Sequence, residues 1–302
     1  MNRSGELDHP VLWLNGRLVS EDEARISPFD RGWLYGDGLF ETMRAEQGLV
    51  LYLADHLHRL TRSAAFLGIP WNHALDWAAI FRELLFRNGL RGEVAAAKIV
   101  LTRGVAAGLG LPAAESPTVC LTVRKYEEPD DSSYRAGWRL TFFREGYAPP
   151  LARHKTLNYL YYLTARQNAL DRGYDEAIVL DAQGRVSEAA AGSLLVRIDG
   201  TWFRPGPEYQ LPGITATRAS ELLRIDGESV SQRDLAPRDV AQAETIWVCN
   251  SLMGVMPVTE VEGEPVCSPA VEQASRVRQA LFARGRCCAS SQAILIEPTL
   301  TL

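Results

Sequence analysis

VAAAKIVLTRG, residues 94–104, gathers β-branched and apolar side chains into a short run that ends on a glycine. A glycine-rich turn from Gly104 to Gly110 follows, and then a second run of the same kind, TVCLTVRKY (118–126). Such runs bounded by glycine read as two neighbouring strands. Upstream, Leu57, Leu60, Ala64 and Leu67 recur at three- and four-residue intervals, and Ala74 to Phe86 repeats the habit, which predicts two amphipathic helices. Further upstream VLWLNGRLV (11–19) alternates apolar and polar residues around Asn15-Gly16, the dipeptide that adopts the positive φ angles of a tight hairpin. A hairpin, two helices and two strands make a first α/β unit over residues 1–126.

The run EEPDDSS (127–133) is acidic, polar and contains Pro129, a composition that suits an exposed linker, placed here at 127–134. Beyond it WRLTFFR, EAIVLD, SLLVRIDGTWFRP and ETIWVCNSL read as strands, while Leu157 to Arg172 and Thr215 to Leu223 carry helical patterns, giving a larger second domain over 135–302. No internal repeat is visible. The last stretch, CCASSQAILIEPTLTL, has no helical period and reads as a loose tail or an added edge strand. With 302 residues, 46% of them hydrophobic, the chain can build two moderate cores. A net charge of −5 with scattered basic residues points away from nucleic acid and from an anionic membrane, toward a small-molecule partner. No apolar run approaches the roughly 20 residues of a spanning helix, and MNRSGELDHP lacks the apolar core of a signal peptide, so a cytoplasmic location is expected. Cys120, Cys249, Cys267, Cys287 and Cys288 show no paired spacing and read as reduced thiols, with no metal site among them.

Several residues carry candidate chemistry. Lys155 is followed by Leu157, Tyr159, Leu160, Tyr161, Tyr162 and Leu163, a setting that would desolvate an ammonium and make a nucleophile of it, although lysines beside aromatic runs also reach out to solvent. Glu188, in VSEAAAGSL, is a turn carboxylate in its ordinary reading; if buried it needs a cationic or hydrogen-bonded partner. Gly213, Ile214 and Thr215 open a helix, where unpaired backbone N–H groups and a hydroxyl form either a plain cap or a phosphate cradle. Arg59 could add a bidentate grip on phosphate, and Ser251 another hydroxyl donor.

The ordered motifs GDGLFETMR (36–44), DHLHRL (55–60), HKTLNYL (154–160), VSEAAAGSL (186–194), LPGIT (211–215) and NSLMGVMPV (250–258) resemble the class IV, or fold-type IV, family of pyridoxal-phosphate enzymes, from about Leu12 to Val266. The resemblance implies an α/β fold of mixed sheets in two domains with the cofactor in the cleft between them, and a homodimer. It implies Lys155 as the Schiff-base lysine, Glu188 beneath the pyridine nitrogen, Tyr159 near the ring, and Arg59, Gly213, Ile214, Thr215 and Ser251 around the phosphate. Two positions depart from the family pattern: Ser193 stands where asparagine is usual, and Ala216 where arginine or lysine is common. Within the family, CNSLMGVMPV and the K-T-L-N spacing look most like 4-amino-4-deoxychorismate lyase, which releases 4-aminobenzoate and pyruvate for folate synthesis. The alternative is a D-amino-acid, branched-chain or broad-specificity aminotransferase, favoured by an apolar lining of Tyr35, Leu39 and Phe40. TRGVAAGLGLP lacks the second arginine some members use for a carboxylate, which leaves Arg103, Arg153 or a second subunit for that task, with Tyr35 and Leu252 as further substrate contacts. A protein that binds the cofactor without catalysis is disfavoured, since Lys155 and Glu188 are both present.

Overall fold

The computed structural model describes residues 9–294, which divide into two compact units. The first holds β1 (Val11–Leu14), β2 (Arg17–Ser20), α1 (Arg31–Tyr35), β3 (Gly38–Glu46), β4 (Leu49–Val50), α2 (Leu53–Leu67), α3 (Trp77–Arg87), β5 (Ala95–Thr102) and β6 (Thr118–Lys125). Its strands form an antiparallel sheet in the order β2-β1-β6-β5-β3-β4. The hairpin expected around Asn15-Gly16 is present, with φ of 48° and 94° at its two central residues. One face of the sheet sends Leu39, Met43, Ile99, Leu101 and Leu121 against Leu60 and Leu67 of α2 and Phe81, Leu84 and Leu85 of α3. Each such side chain removed from water contributes roughly 1.5–3 kcal/mol. The strand β3 escaped sequence reading because eight of its nine residues are buried, so it shows no polar–apolar alternation.

The second unit contains α4 (Asp131–Ala136), β7 (Trp138–Phe143), α5 (Leu160–Asp171), β8 (Glu176–Leu180), β9 (Val186–Ala189), β10 (Ser193–Ile198), β11 (Thr201–Pro205), α6 (Ile214–Ile225), β12 (Val230–Arg233), α7 (Pro237–Ala241), β13 (Thr245–Asn250), β14 (Gly254–Val261), β15 (Glu264–Pro265) and the start of α8 (Val271–Ile294). A nine-stranded mixed sheet runs β12-β11-β10-β13-β14-β7-β8-β9, with β15 on β14. The β7–β8, β7–β14 and β11–β12 pairs are parallel and the others antiparallel. Leu195, Trp202, Trp247 and Val255 face Ala216, Ala219, Leu222 and Leu223 of α6 together with Ala274, Val277 and Leu281 of α8.

Three expectations change. The acidic run at 127–134 is not simply an exposed linker: Asp130 caps α4 by accepting the Ser133 N–H, and Tyr134 is buried with its hydroxyl donating to the Met253 carbonyl. The division 1–126 and 135–302 also does not hold throughout, because Lys155–Asn158 and residues 283–294 belong to the first unit. Residues 155–157 lie along β3 as an added strand segment: Phe40 N–H donates to Lys155 C=O and Leu157 N–H to Gly38 C=O, both at 2.9 Å. Finally, residues 287–294 continue α8 rather than forming a tail or edge strand. The helix is set by buried Ala274, Val277 and Leu281 upstream, and alanine, arginine and serine propagate it without adding an apolar period of their own; residues 295–302 lie outside the described chain. No described helix is long and apolar enough to cross a membrane, and the five cysteines are free.

Candidate active site

In the first unit, the backbone pairing of 155–157 with β3 fixes where Lys155 stands. Its Nζ lies 4.5 Å from the centroid of the Phe40 ring, and Lys98 Nζ of β5 lies 4.9 Å from the same centroid. Two ammonium groups, the half-buried Lys155 and the exposed Lys98, thus share one aromatic side chain in cation–π contact. Partial burial, and then the neighbouring charge of Arg124, lowers the pKa of Lys98. An aromatic partner of Lys155 thus comes from β3. Lys98 was missed, having no motif around it that distinguishes it from an ordinary strand lysine.

Beside this pair, Glu41 of β3 is buried against α2. Arg59 grips it with two bonds, Nε to Oε1 at 2.7 Å and Nη2 to Oε2 at 2.6 Å, while His56 Nδ1 stands 2.7 Å from Oε2. Burial raises the pKa of Glu41, but the charge and hydrogen bonds of Arg59, with help from His56, outweigh it and hold the carboxyl at about 2. Burial lowers that of His56, and the positive charges of Arg59 and Lys155 add to the effect against the pull of Glu41. A carboxylate only accepts hydrogen bonds, so a neutral His56 must carry its hydrogen on Nδ1. The fork fixes the plane of the Arg59 guanidinium and uses two of its five N–H groups, a geometry compatible with the phosphate role expected of it. Both Glu41 and His56 sit inside quoted motifs, yet only the folding of α2 onto β3 pairs them.

Arg103 requires correction. It is 1% exposed, with Nε on Asp37 at 2.7 Å, Nη2 on the Leu67 carbonyl at 2.8 Å and Nη1 on the Pro112 and Gly68 carbonyls. It braces the end of α2 and the 104–112 loop and is not available to a substrate carboxylate. Leu39 likewise belongs to the hydrophobic core and lines no site. Tyr35 is exposed, with the Arg31 guanidinium 4.9 Å over its ring.

In the second unit, Glu188 of β9 is buried, accepting the Tyr162 hydroxyl on Oε1 at 2.7 Å and the Leu211 N–H on Oε2 at 3.2 Å. Both partners are donors, so each carboxyl oxygen accepts a hydrogen bond. Tyr159 stacks on Tyr162 with ring centroids 5.0 Å apart and donates its hydroxyl to the Ala190 carbonyl. Burial, and then the nearby carboxylate of Glu188, pushes both phenol pKa values up. Glu176 of β8 is buried as well: Oε1 accepts the Ala177 N–H, Oε2 has no hydrogen-bond partner among the described residues, and burial raises its carboxyl to about 7. Gly213 caps α6 with no side-chain bond to the first turn, which leaves Ile214 and Thr215 at a helix start whose N–H groups point at a potential ligand. Asn250 Oδ1 accepts the Leu252 and Met253 N–H groups, and this turn presents the half-buried Ser251 and Leu252. Arg153, raised as a carboxylate binder, is 3.8 Å from Glu208 and faces the Tyr209 ring.

The site residues therefore fall in two groups. Lys155, Arg59, Tyr35 and Arg103 belong to the first unit, and Tyr159, Glu188, Gly213, Ile214, Thr215, Ser251 and Leu252 to the second. The first unit offers an amine on an aromatic ring, suited to an aldehyde; the second offers a buried carboxyl and a helix start without a side-chain cap, suited to a pyridine nitrogen and a phosphate.

Comparison with known proteins agrees. A family model described as amino-transferase class IV matches residues 38–261. The chain is 31% identical over 271 residues to a putative branched-chain-amino-acid aminotransferase of Methanocaldococcus jannaschii, covering 88% of this chain and 92% of that one. It is 28% identical over 263 residues to an aminodeoxychorismate lyase of Vibrio harveyi, covering 83% and 91%. A crystal structure of the branched-chain aminotransferase of Thermoproteus uzoniensis superimposes with a TM-score of 0.81 at 23% identity, over 91% of this chain and 96% of that one. The chain accordingly belongs to the class IV aminotransferase family, whose cofactor is pyridoxal 5′-phosphate.

Proposed function

We propose that the protein is an aminotransferase that moves the amino group of an apolar amino acid, with Lys155 as the reactive amine. One observation carries this choice over the lyase: a count of cations able to meet carboxylates. The lyase substrate bears two carboxylates and a transaminated apolar amino acid one. Arg103 is consumed by the fold and Arg153 lies beside Glu208, so among the described residues we assign one added cation to substrate, Lys98, on the same ring as Lys155. The relative of highest identity reported above points the same way.

When bound, the cofactor supplies an aldehyde that captures amines and a ring that stores negative charge. Lys155 would hold the cofactor through its amine and, when that amine is free, would carry a proton at Nζ. Phe40 holds the ammonium by its ring face and limits water around it. Glu188, which accepts from Tyr162 and Leu211, would face the ring nitrogen and favour a proton there, and Tyr159 would lie near the ring. The first turn of α6, with Thr215 and Ser251, would hold the phosphate in the second unit, and Arg59 is the phosphate candidate of the first.

The lyase remains a second reading because of the Asn250 turn, which presents Ser251-Leu252-Met253 in the arrangement that gave that resemblance. The enzyme is incubated in one arm with L-leucine or D-alanine and an oxo-acid acceptor, and in the other with aminodeoxychorismate. Keto acid in the first arm supports the proposal; 4-aminobenzoate and pyruvate in the second, with none in the first, replaces it with the lyase. Lys98→Met should lower kcat/KM about tenfold or more through loss of one charge-assisted bond.

The side chains Trp33 and Tyr35 of α1 and Val105, Leu109 and Leu111 of the loop that Arg31 ties to α1 are large, apolar and exposed. This supports a homodimer, which sedimentation of the wild type and of a Trp33→Ser, Leu109→Ser variant would test. The free cysteines suit a reducing compartment, in keeping with a cytoplasmic location.

A further inference from the structure

The two departures from the family pattern, Ser193 and Ala216, meet at one place, the first turn of α6. A Cβ added at Gly213 would come within 2.1 Å of Ser193 Oγ, so the serine hydroxyl occupies the space directly beneath the cap. Ala216 is fully buried and brings no charge to the turn. A cation reaches it from another element. Arg204 of β11 donates from Nη1 to Thr217 Oγ1 at 3.2 Å, and that hydroxyl donates to the Gly213 carbonyl at 2.9 Å. The relay Arg204–Thr217–Gly213 thus ties the cap of α6 to the sheet below it.

Arg204 is half-buried and forms no ion pair among the described residues. Its ionisable neighbours are Cys249, a thiol that burial keeps neutral by raising it to about 12, and Arg224, of the same sign; burial is the main reason its own pKa is lowered. A desolvated cation without a counter-charge is costly, and here it adds to the positive end of a helix whose first amides lack a side-chain cap. Charge of one sign from two sources at one spot is relieved by an anion.

We propose that Arg204 is a positioning residue for the cofactor phosphate: through Thr217 it sets the Gly213 cap, and it supplies the positive charge that Ala216 does not. The proposal rests on the reading of α6 as the phosphate cradle. The test is equilibrium titration of the cofactor-free protein with pyridoxal 5′-phosphate and, separately, with pyridoxal, which lacks the phosphate, read by the absorbance of the bound ring. Arg204→Met and Thr217→Val should each weaken pyridoxal 5′-phosphate binding about tenfold, the scale of one charge-assisted hydrogen bond, and leave pyridoxal binding within about twofold. Arg204→Lys should recover part of the loss, and the double variant should be no worse than Arg204→Met, because the two residues act in series. Equal weakening of both ligands, or none, overturns the proposal, and should Arg204→Met not fold, Arg204→Lys and Thr217→Val carry the same comparison. Thr215→Val separates the two readings. If it erases the preference for the phosphorylated ligand while the Arg204 and Thr217 variants do not, Arg204 falls alone; if it changes nothing, the α6 cradle falls and takes Arg204 with it.

Discussion

Glu41 and Glu176 are both deeply buried carboxyls, one in each unit, and they end in opposite states. Glu41 receives three charge-assisted contacts from Arg59 and His56 and stays ionised down to about pH 2, whereas Glu176 is met by backbone amides on one oxygen, has no partner on the other, and keeps its proton up to about pH 7. Burial pushes both in the same direction; the partners decide. The contrast extends to the surroundings. The first unit gathers charge around β3 and α2, while the second works with hydroxyls, backbone amides and the paired carboxylate Glu188.

The sharpest way to break this picture is at its reactive pole. Lys155→Ala should lower turnover by about 10³-fold or more, since one amine serves as both nucleophile and proton carrier; steady-state rates that stay within tenfold of wild type would remove it from that role. Next in size is Glu41→Ala, which strands a buried guanidinium and should cost about 3–5 kcal/mol of stability, measured as a shift in denaturation midpoint. Glu41→Gln should cost less, because it still accepts from Arg59.

Smaller in size, and most direct for the contrast, are the two pH responses. Glu41 has a folded pKa below its unfolded value of about 4.5, so its contribution is full above that value and is lost as pH falls toward about 2. Glu176 has a folded pKa above its unfolded value, so its contribution is full below about 4.5 and is lost as pH rises through about 7, worth at most about 3 kcal/mol by the end. Melting temperatures of wild type and Glu176→Gln should therefore diverge between pH 5 and 8, the variant holding its stability while wild type declines; parallel curves would mean that Glu176 titrates normally. Least of all, Asn15→Ala should cost about 1 kcal/mol by placing a Cβ-branched-free but non-preferred residue at φ 48° in the hairpin.

Much of the first unit was legible because its signals are local. Asn15-Gly16 carries its own turn geometry, and the three- and four-residue spacing in α2 needs no partner to be recognised. The candidate site was legible only as a set of residues. Lys155 and Glu188 stand out through motif order, but an aromatic ring against Lys155 comes from Phe40, 115 positions away along the chain, and Tyr162 bonds Glu188 and stacks on Tyr159. Arg103 misled for the same reason: a lone arginine after a strand looks like a ligand until Asp37 and the end of α2 close around it.

The amino-acid sequence by itself determined the family, the hairpin and the amphipathic helices, and put forward Lys155 and Glu188 as the amine and the carboxylate, because these rest on side-chain type and short-range spacing. Only the tertiary structure decided which buried carboxyl is charged, which arginines are consumed by the fold, and that Arg204 bonds to Thr217 of α6. Those outcomes depend on desolvation and on partners contributed by distant strands, and neither quantity exists until the chain has folded.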